Sequence, residues 1–255
     1  MEDQVNRLVE KTWAKFQTVP ESERLLIAIS GIPGSGTTHS FAFPVFRFGT
    51  DKSKRTGKTS LATTVTSRLN ALHGKETPIA AYIPMDGYHY SRAHLSSMPD
   101  PENAHARRGA AFTFDGSAFL ALAKNIRQPL SASSKTLYAP SFDHAKKDPV
   151  ENEIEIAPSS RIVVFEGNYL SLGTGEWKEA AGVMDELWFV EVDFDTAGKR
   201  LVPRHIKAGI APNEEEAWKR VRENDLVNGQ EIVESRLKVD ELIISTEDGR
   251  WAPKD

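Results

Sequence analysis

The sequence predicts an α/β fold with a mostly parallel sheet between two layers of helices. Short apolar runs, which are typical of buried parallel strands, lie at residues 25–30, 79–85, 161–165 and 186–192. Amphipathic segments separate these runs, and this alternation favours strands that are joined by crossover helices. A glycine-rich turn at residues 31–36 directly follows the first strand.

The other elements follow from apolar spacing and from helix-capping signals. An N-terminal helical region is predicted over residues 1–20, because apolar side chains recur at helical spacing from Val5 to Phe16. Asp115 is a candidate N-cap, and residues 128–160, which carry several prolines, are predicted to be mostly loop or short strands. The remaining predicted elements are a late strand at 242–245 and helices at 58–72, 119–126, 195–208, 213–223 and 229–237.

Composition narrows the class of protein. The chain has 255 residues, of which 39% are hydrophobic and 27% are charged, so we expect a single globular domain over 1–255. It contains no cysteine, which excludes disulfides and thiolate metal sites. A net charge of -4 and the absence of any apolar run near about 20 residues give no reason to expect a nucleic-acid or membrane partner. We expect a cytoplasmic monomer or homodimer with a small-molecule substrate.

The glycine-rich turn supplies the first half of a phosphate-binding loop. That loop has the pattern G-x-x-x-x-G-K-[ST] between a strand and a helix, so that backbone N–H groups surround phosphate, the lysine reaches the β/γ oxygens and the hydroxyl holds magnesium. Position 37 should be lysine and is threonine, but a second fragment, GKTSLA, opens the predicted helix at 57–62. Without residues 37–57 the sequence reads GIPGSG-KTSLA, a complete motif. The nucleotide-binding candidates are therefore Gly31, Gly34, Ser35, Gly36, Gly57, Lys58, Thr59 and Ser60.

The interrupting segment at 37–57 has no helical period and no clean strand period. It places phenylalanines and a basic cluster inside what should be a tight anion-binding loop. Our hypothesis is that this segment is an insertion, such as a retained in-frame intron. The alternative is a genuine loop that bulges outward while Lys58 still reaches the phosphates.

Two acidic residues directly follow predicted strands. Asp86 comes after the second strand and Glu166 comes after the third. The carboxyl edge of a parallel sheet is where ligands of α/β proteins bind, and a carboxylate at Glu166 suits magnesium or its water shell. The simpler alternatives are that Asp86 caps a turn with Gly87 and that Glu166 is an ordinary acid at the end of a strand.

Five longer motifs carry a resemblance to a known family. They are PMDGYHYS at 84–91, RRGAAFTFD at 107–115, YAPSFDHAKKDP at 138–149, VVFEGNYL at 163–170 and LVPRHIKAGI at 201–210. Together they resemble the phosphoribulokinase/uridine kinase family of P-loop kinases, and the first and third are also similar to segments of bacterial-type pantothenate kinase. The resemblance runs from about residue 25 to about residue 237, apart from 37–57, and it does not specify one substrate.

The resemblance implies a P-loop NTPase fold, a three-layer α/β/α sandwich with a helical lid in the region 195–225, that uses ATP and Mg²⁺. It implies that Asp86 accepts the proton of the acceptor hydroxyl and that Glu166 helps Thr59 to place magnesium. In the lid, Lys199, Arg200, Arg204 and His205 would bring positive charge to the transferred phosphate. The implied substrate-binding residues are Tyr88, His89, Arg107, Arg108, Tyr138, Asp143 and His144.

The predicted function is therefore transfer of a phosphoryl group from ATP to a hydroxyl of a small metabolite such as a nucleoside, a pantothenate-like compound or a sugar. The alternative is a non-catalytic nucleotide-binding protein, because the extra segment could displace Lys58 from the phosphates. Arg107 and Arg108 could instead be a solvated pair. Pro203 interrupts the predicted lid helix, where it could mark a hinge or weaken closure of the lid.

Overall fold

The computed structural model describes residues 2–35 and 57–245. Gly36 and residues 37–56, which include nearly all of the interrupting segment, lie outside the described residues. The strands are β1 (Leu25–Gly31), β2 (Ala80–Pro84), β3 (Leu137–Asp143), β4 (Asp148–Ile156), β5 (Ile162–Glu166), β6 (Glu186–Glu191) and β7 (Glu241–Ile244). The helices are α1 (Glu2–Phe16), α2 (Lys58–His73), α3 (Arg92–Ser96), α4 (Pro101–Ala106), α5 (Gly116–Arg127), α6 (Gly175–Ala181), α7 (Phe194–Lys207), α8 (Glu214–Arg220) and α9 (Leu226–Ser235).

Five strands form one sheet in the order β2-β5-β1-β6-β7, and every neighbouring pair in it is parallel. In this register Glu166, the last residue of β5, is paired with Pro84 of β2 on one side and with Ile29 of β1 on the other. The ends of these three strands therefore meet at one edge of the sheet, and the phosphate loop, Asp86 and Glu166 all lie at this edge.

Both faces of the sheet are covered, which explains why its strands have continuous apolar sequences. Residues Leu25, Ile27 and Ile29 of β1 pack with α1 and α2, whereas the alternate residues Leu26 and Ala28 pack with α5 and α6. The predicted three-layer α/β/α sandwich is confirmed. Among the residues that the structure describes, no helix has the length and apolarity that crossing a membrane requires.

The region 128–160, predicted to be mostly loop or short strands, contains an antiparallel hairpin of β3 and β4. Pro140 lies within β3, where the register shifts between Ala139 and Ser141, and this irregularity accommodates a residue without an N–H donor. Pro149 is the second residue of β4. The hairpin packs against a 3-10 turn at Met85–Tyr88, which directly follows β2.

Helices α7 and α8 and a following π turn occupy the region 195–225 that is predicted to be the lid, and α9 comes directly after it. The side chain of Asp193 caps α7 by accepting a hydrogen bond from the backbone N–H of Thr196. The helix continues through Pro203 without a break in its assigned range. The predicted helix at 213–223 is divided into α8 and a π turn at Val221–Asp225, and α9 begins at Leu226 rather than at 229.

Candidate active site

The structure brings Lys58 to the glycine-rich turn, although the two are separated by the interrupting segment. The Nζ atom of Lys58, the first residue of α2, donates hydrogen bonds to the carbonyl oxygen of Ile32 at 2.9 Å and to Oγ of Ser35 at 3.0 Å. The Lys58 side chain and Ser35 are both buried. The two fragments of the motif therefore form one cradle around a buried ammonium group.

Glycine is required at two positions of this cradle. Gly31 has φ +157°, and a Cβ there would lie 2.6 Å from the carbonyl oxygen of Val190 and 3.2 Å from Cδ of Lys58. Gly34 has φ +77°, and its Cβ would lie 2.6 Å from the carbonyl oxygen of Ala197, the residue that begins the second turn of α7. Side chains at either position would fill the space beside the lysine or push the loop away from the lid.

The start of α2 and the end of β5 meet through a hydroxyl–carboxylate contact. Oγ1 of Thr59 donates to Oε2 of Glu166 at 3.1 Å, and the hydroxyl of Tyr82 on β2 donates to the same oxygen at 3.0 Å. Gly57 precedes this contact with φ +120°, and Ser60 is buried behind it. The carboxylate of Glu166 is thus held by two hydroxyl groups at the carboxyl edge of the sheet.

Tyr82 was not among the residues predicted from sequence. The available signal was its hydroxyl group, because a tyrosine inside an otherwise apolar strand usually needs a polar partner. Tyr82 lies only four residues before Asp86, near the end of β2. Its side chain is therefore close to the same carboxyl edge of the sheet.

Burial and charge shift the ionisation of this cluster. Burial lowers the pKa of Lys58 to about 8; the charge of Glu166 opposes this shift, and the positive charge of Arg204 adds to it. Burial likewise raises the pKa of Glu166, and the nearby Lys58 ammonium acts in the opposite direction. Asp86 contributes to both shifts, so these four groups share one electrostatic environment.

Asp86 lies in the 3-10 turn after β2, and its side chain is 52% exposed. The neighbouring His89 is in contact with it: Nδ1 lies 2.8 Å from the carbonyl oxygen of Asp86 and 4.0 Å from its carboxylate. The imidazole ring is held between the rings of Phe114 and Phe142, with centroid distances of 3.9 and 4.9 Å. Burial lowers the pKa of His89. Tyr88 instead points into the core, where its ring packs edge-on against Phe119.

Arg107 is hydrogen-bonded to the π turn and to α9. Its Nε donates to Oδ1 of Asn224 at 2.9 Å and its Nη2 donates to Oδ1 of Asn228 at 2.7 Å, and both asparagines are buried. Arg108 forms an ion pair with Asp148 at 3.1 Å and also donates to backbone oxygens of Tyr90 and Lys147. The predicted basic pair therefore joins the acceptor-side loops to the helices of the lid and to the hairpin.

The other predicted substrate residues lie on the β3–β4 hairpin. Asp143 accepts hydrogen bonds from the backbone N–H groups of Ala145 and Lys146, so its carboxylate closes the hairpin turn. The ring of His144 contacts Phe142 at a centroid distance of 5.2 Å. Tyr138 is 49% exposed at the far end of β3. Phe142 also contacts His89, so His144 joins the aromatic group around His89.

The predicted cationic side chains of the lid have different surroundings. Arg204 lies near enough to Lys58 to influence its ionisation, whereas Nη1 of Arg200 donates to Oγ of Ser245 at 2.9 Å. His205 is buried, and its Nε2 lies 2.8 Å from Oδ2 of Asp225 in the π turn. Lys199 is exposed.

The donor set fits a nucleotide with magnesium. The buried ammonium group and the tight glycine coil offer positive charge and space without side chains, which phosphate oxygens require. Thr59 and Glu166 offer a hydroxyl and a carboxylate oxygen, and Mg²⁺ commonly uses one or two such ligands together with phosphate and water. Within residues 2–35 and 57–245, no cluster of three or more acidic or histidine side chains offers a cage for a metal by itself.

Comparison with known proteins supports the same assignment. No protein-family model matches the chain. The chain is 49% identical over 167 residues to the ATP-dependent kinase-like protein notR' of Aspergillus versicolor, covering 66% of this chain and 95% of that protein. It is 34% identical over 228 residues to a uridine kinase-like protein of Schizosaccharomyces pombe, covering 89% of this chain and 86% of that protein.

Solved structures agree in fold. A protein assigned as a fructose transport system kinase, from Silicibacter sp. TM1040, superposes with a TM-score of 0.73 at 26% identity, covering 93% of this chain and 98% of that one. The P-loop kinase YFH7 of Saccharomyces cerevisiae superposes with a TM-score of 0.76 at 20% identity, covering 96% of this chain and 99% of that one. The fold, the phosphate cradle and these relatives lead to one conclusion: the chain belongs to the phosphoribulokinase/uridine kinase family of P-loop kinases.

Proposed function

We propose that this protein transfers the γ-phosphoryl group of ATP, with Mg²⁺, to a hydroxyl group of a small polar metabolite. The family makes it an ATP-dependent small-molecule kinase in general terms; the acceptor and the activity of this particular chain belong to the proposal. The observation that carries the proposal is the position of Lys58 Nζ, which lies within 3.0 Å of Ser35 Oγ in the glycine-rich turn.

Each group in the cradle has a separate role in the proposed reaction. Lys58 binds and neutralises the phosphate oxygens, and Thr59 and Glu166 hold magnesium or its water, which screens the charge of the phosphates. Asp86, exposed at the same edge of the sheet, accepts the proton of the acceptor hydroxyl. Arg204 supplies further positive charge from the lid.

The names of relatives are compatible with a hydroxylated acceptor. One relative is described as uridine kinase-like and a solved neighbour as a fructose transport system kinase, and both descriptions imply sugar hydroxyl groups. We propose an acceptor of this class, which includes nucleosides, sugars and pantothenate-like alcohols. We also propose that the enzyme is a single domain over 1–255 and acts as a cytoplasmic monomer or homodimer, without nucleic-acid or membrane partners.

A metabolite-library screen for ADP release tests the proposal. The screen uses two forms, the full chain and a chain that lacks residues 37–57, with Lys58→Ala in each form as the control. We expect the shortened chain to release ADP with at least one hydroxylated acceptor, and the Lys58→Ala control to release none above background. A shortened chain that binds ATP but transfers phosphate to no acceptor would favour the non-catalytic alternative. Sequencing transcripts across codons 36–58 tests the insertion separately, since an intron predicts transcripts without it.

The ionisation of Lys58 predicts a pH dependence of nucleotide binding. In the free protein its pKa is about 8, and bound phosphate groups should raise it because they favour the charged form. Above about pH 8 the nucleotide complex then holds more protons than the free protein. The affinity for the nucleotide therefore falls as pH rises, by up to about tenfold per pH unit. This group contributes no pH dependence below about pH 7.

Calorimetry measures this proton uptake directly. Titration with ATP and Mg²⁺ at about pH 9, in two buffers with different ionisation enthalpies, should show uptake approaching one proton per nucleotide. Lys58→Arg is the matched control, because a guanidinium group stays charged throughout this pH range and should take up none. Equal proton uptake by the two proteins would show that Lys58 does not titrate in the phosphate cradle.

A further inference from the structure

A second concave site lies at the opposite edge of the sheet, where the strands begin. It is a shallow cavity, widely open to solvent, with a volume of about 710 Å³. Four loops form it, and these loops precede β1, β2, β3 and β5. Its polar lining includes Glu21, Ser22, Lys75, Ser131, Ser159 and Arg161.

The charges at this cavity are unbalanced. Within the described parts of the chain, neither Lys75 nor Arg161 forms an ion pair with a carboxylate. Arg161 directs Nε to the carbonyl oxygen of Glu23 and Nη2 to that of Pro20, and its guanidinium lies over the ring of Phe16 at 5.3 Å from the centroid, so none of these partners is a carboxylate. Glu21 is the one acidic residue in the lining.

A buried arginine increases the imbalance. Arg24 is only 3% exposed, and it donates from Nε to the carbonyl oxygen of Ser160 and from Nη1 to that of Ile126, both at 3.0 Å. Its Nη2 has no hydrogen-bond partner among the described residues, and no carboxylate there pairs with it. Burial, together with the charge of Arg161, lowers the pKa of Arg24. A buried cation without a counter-charge is unfavourable. Arg24 does not line the cavity, but its partner Ser160 lies between the lining residues Ser159 and Arg161, so an anion in the cavity would act on Arg24 at longer range.

We propose that this cavity binds a small phosphate monoester at a site separate from the phosphate cradle. Arg161 and Lys75 provide the positive charge for the phosphate group, and the hydroxyl groups of Ser22, Ser131 and Ser159 surround it. A cavity of this size exceeds the needs of a bare phosphate ion, and Glu21 can accept hydrogen bonds from hydroxyl groups on the rest of the ligand. The ligand class is therefore a hydroxylated phosphate monoester such as a sugar phosphate.

Nuclear magnetic resonance of the ¹⁵N-labelled full chain tests the proposal with glucose 6-phosphate as the probe. We expect saturable shifts in the amide signals of Thr77, Ser131 and Ser159, which line the cavity, at ligand concentrations that leave Gly31 and Ser35 unchanged. Inorganic phosphate, titrated in parallel, should bind the cavity more weakly. Shifts confined to Gly31 and Ser35 would overturn the proposal, and so would equal affinity for inorganic phosphate, because the ligand would then not be a monoester.

A substitution at Lys75 supplies the affinity measurement. Lys75 is exposed and forms no ion pair among the described residues, so Lys75→Gln should leave the fold intact. We expect it to weaken binding of glucose 6-phosphate about tenfold, which corresponds to the loss of one charge-assisted hydrogen bond. The control is Lys178→Gln, at an exposed lysine on α6 outside the cavity lining, which should not change the affinity. Unchanged affinity in Lys75→Gln would also overturn the proposal.

Discussion

Replacement of Lys58 with alanine is expected to lower the rate of phosphoryl transfer about 10³-fold or more. The structure places the lysine ammonium directly against the glycine-rich turn, at 2.9 Å from the Ile32 carbonyl and 3.0 Å from Ser35 Oγ. Without it, the transferred phosphate loses a buried positive charge in a site where such charges act strongly. The measurement is ADP release with the acceptor identified by the library screen.

The fold should survive this substitution. The ammonium group is buried and no carboxylate of residues 2–35 or 57–245 is hydrogen-bonded to it, so its removal takes an incompletely paired charge out of the interior. The melting temperature of Lys58→Ala should therefore match or exceed that of the unmodified protein. Lys178→Ala, on the surface of α6, should keep full activity. Turnover by Lys58→Ala within about tenfold of the unmodified rate would mean that this lysine does not bind the phosphates.

Replacement of Asp86 with asparagine should lower kcat about 10²- to 10⁴-fold while the affinity for ATP stays within about twofold. Asparagine has the same shape as aspartate but cannot accept the proton of the acceptor hydroxyl at neutral pH. The side chain is 52% exposed in the turn after β2, so the change disturbs little packing. Steady-state kinetics and calorimetry with ATP and Mg²⁺ separate the two effects.

Asp3→Asn is the matched control for this experiment. Asp3 is an exposed acid in the first turn of α1, and α1 packs on the sheet face that also carries α2. Its substitution should change neither kcat nor ATP affinity. If Asp86→Asn has a normal kcat, another group must remove the proton. Weakened ATP binding with an unchanged kcat would instead assign Asp86 to the nucleotide.

The central sheet was predictable because its strands are buried on both faces. Every position of β1 is buried and its first five residues are apolar, a pattern typical of a strand covered on both faces. The β3–β4 hairpin was less predictable because Pro140 breaks its pairing register and because alternate residues of β4, such as Glu153 and Glu155, face solvent. Short helices such as α3 hold less than two turns, so their stability comes from local caps, here the Ser91 side chain, rather than from an apolar period.

The residues of the candidate site also differ in how well the sequence predicted them. Lys58, Thr59 and Glu166 were identifiable because a local motif and the ends of strands fix their positions. The partners of Arg107 were not, because Asn224 and Asn228 are more than a hundred residues away and carry no motif of their own. Long-range hydrogen bonds of this kind depend on how the lid helices pack, and the spacing of residues in the sequence does not predict that packing.

Buried hydrogen bonds connect helix α7, through the π turn, to the loop that carries Arg107. One turn of α7 carries both Arg204 and His205, and His205 is tied to Asp225 at 2.8 Å. The neighbouring Asn224 is in turn tied to Arg107, in the motif that precedes α5. The backbone at Arg204 therefore does not move toward a nucleotide independently of these neighbouring residues. For Arg204 to move toward a nucleotide, either these hydrogen bonds break or the loop that carries Arg107 moves together with α7. In the second case, binding of one substrate would affect the position of residues on the other side of the site.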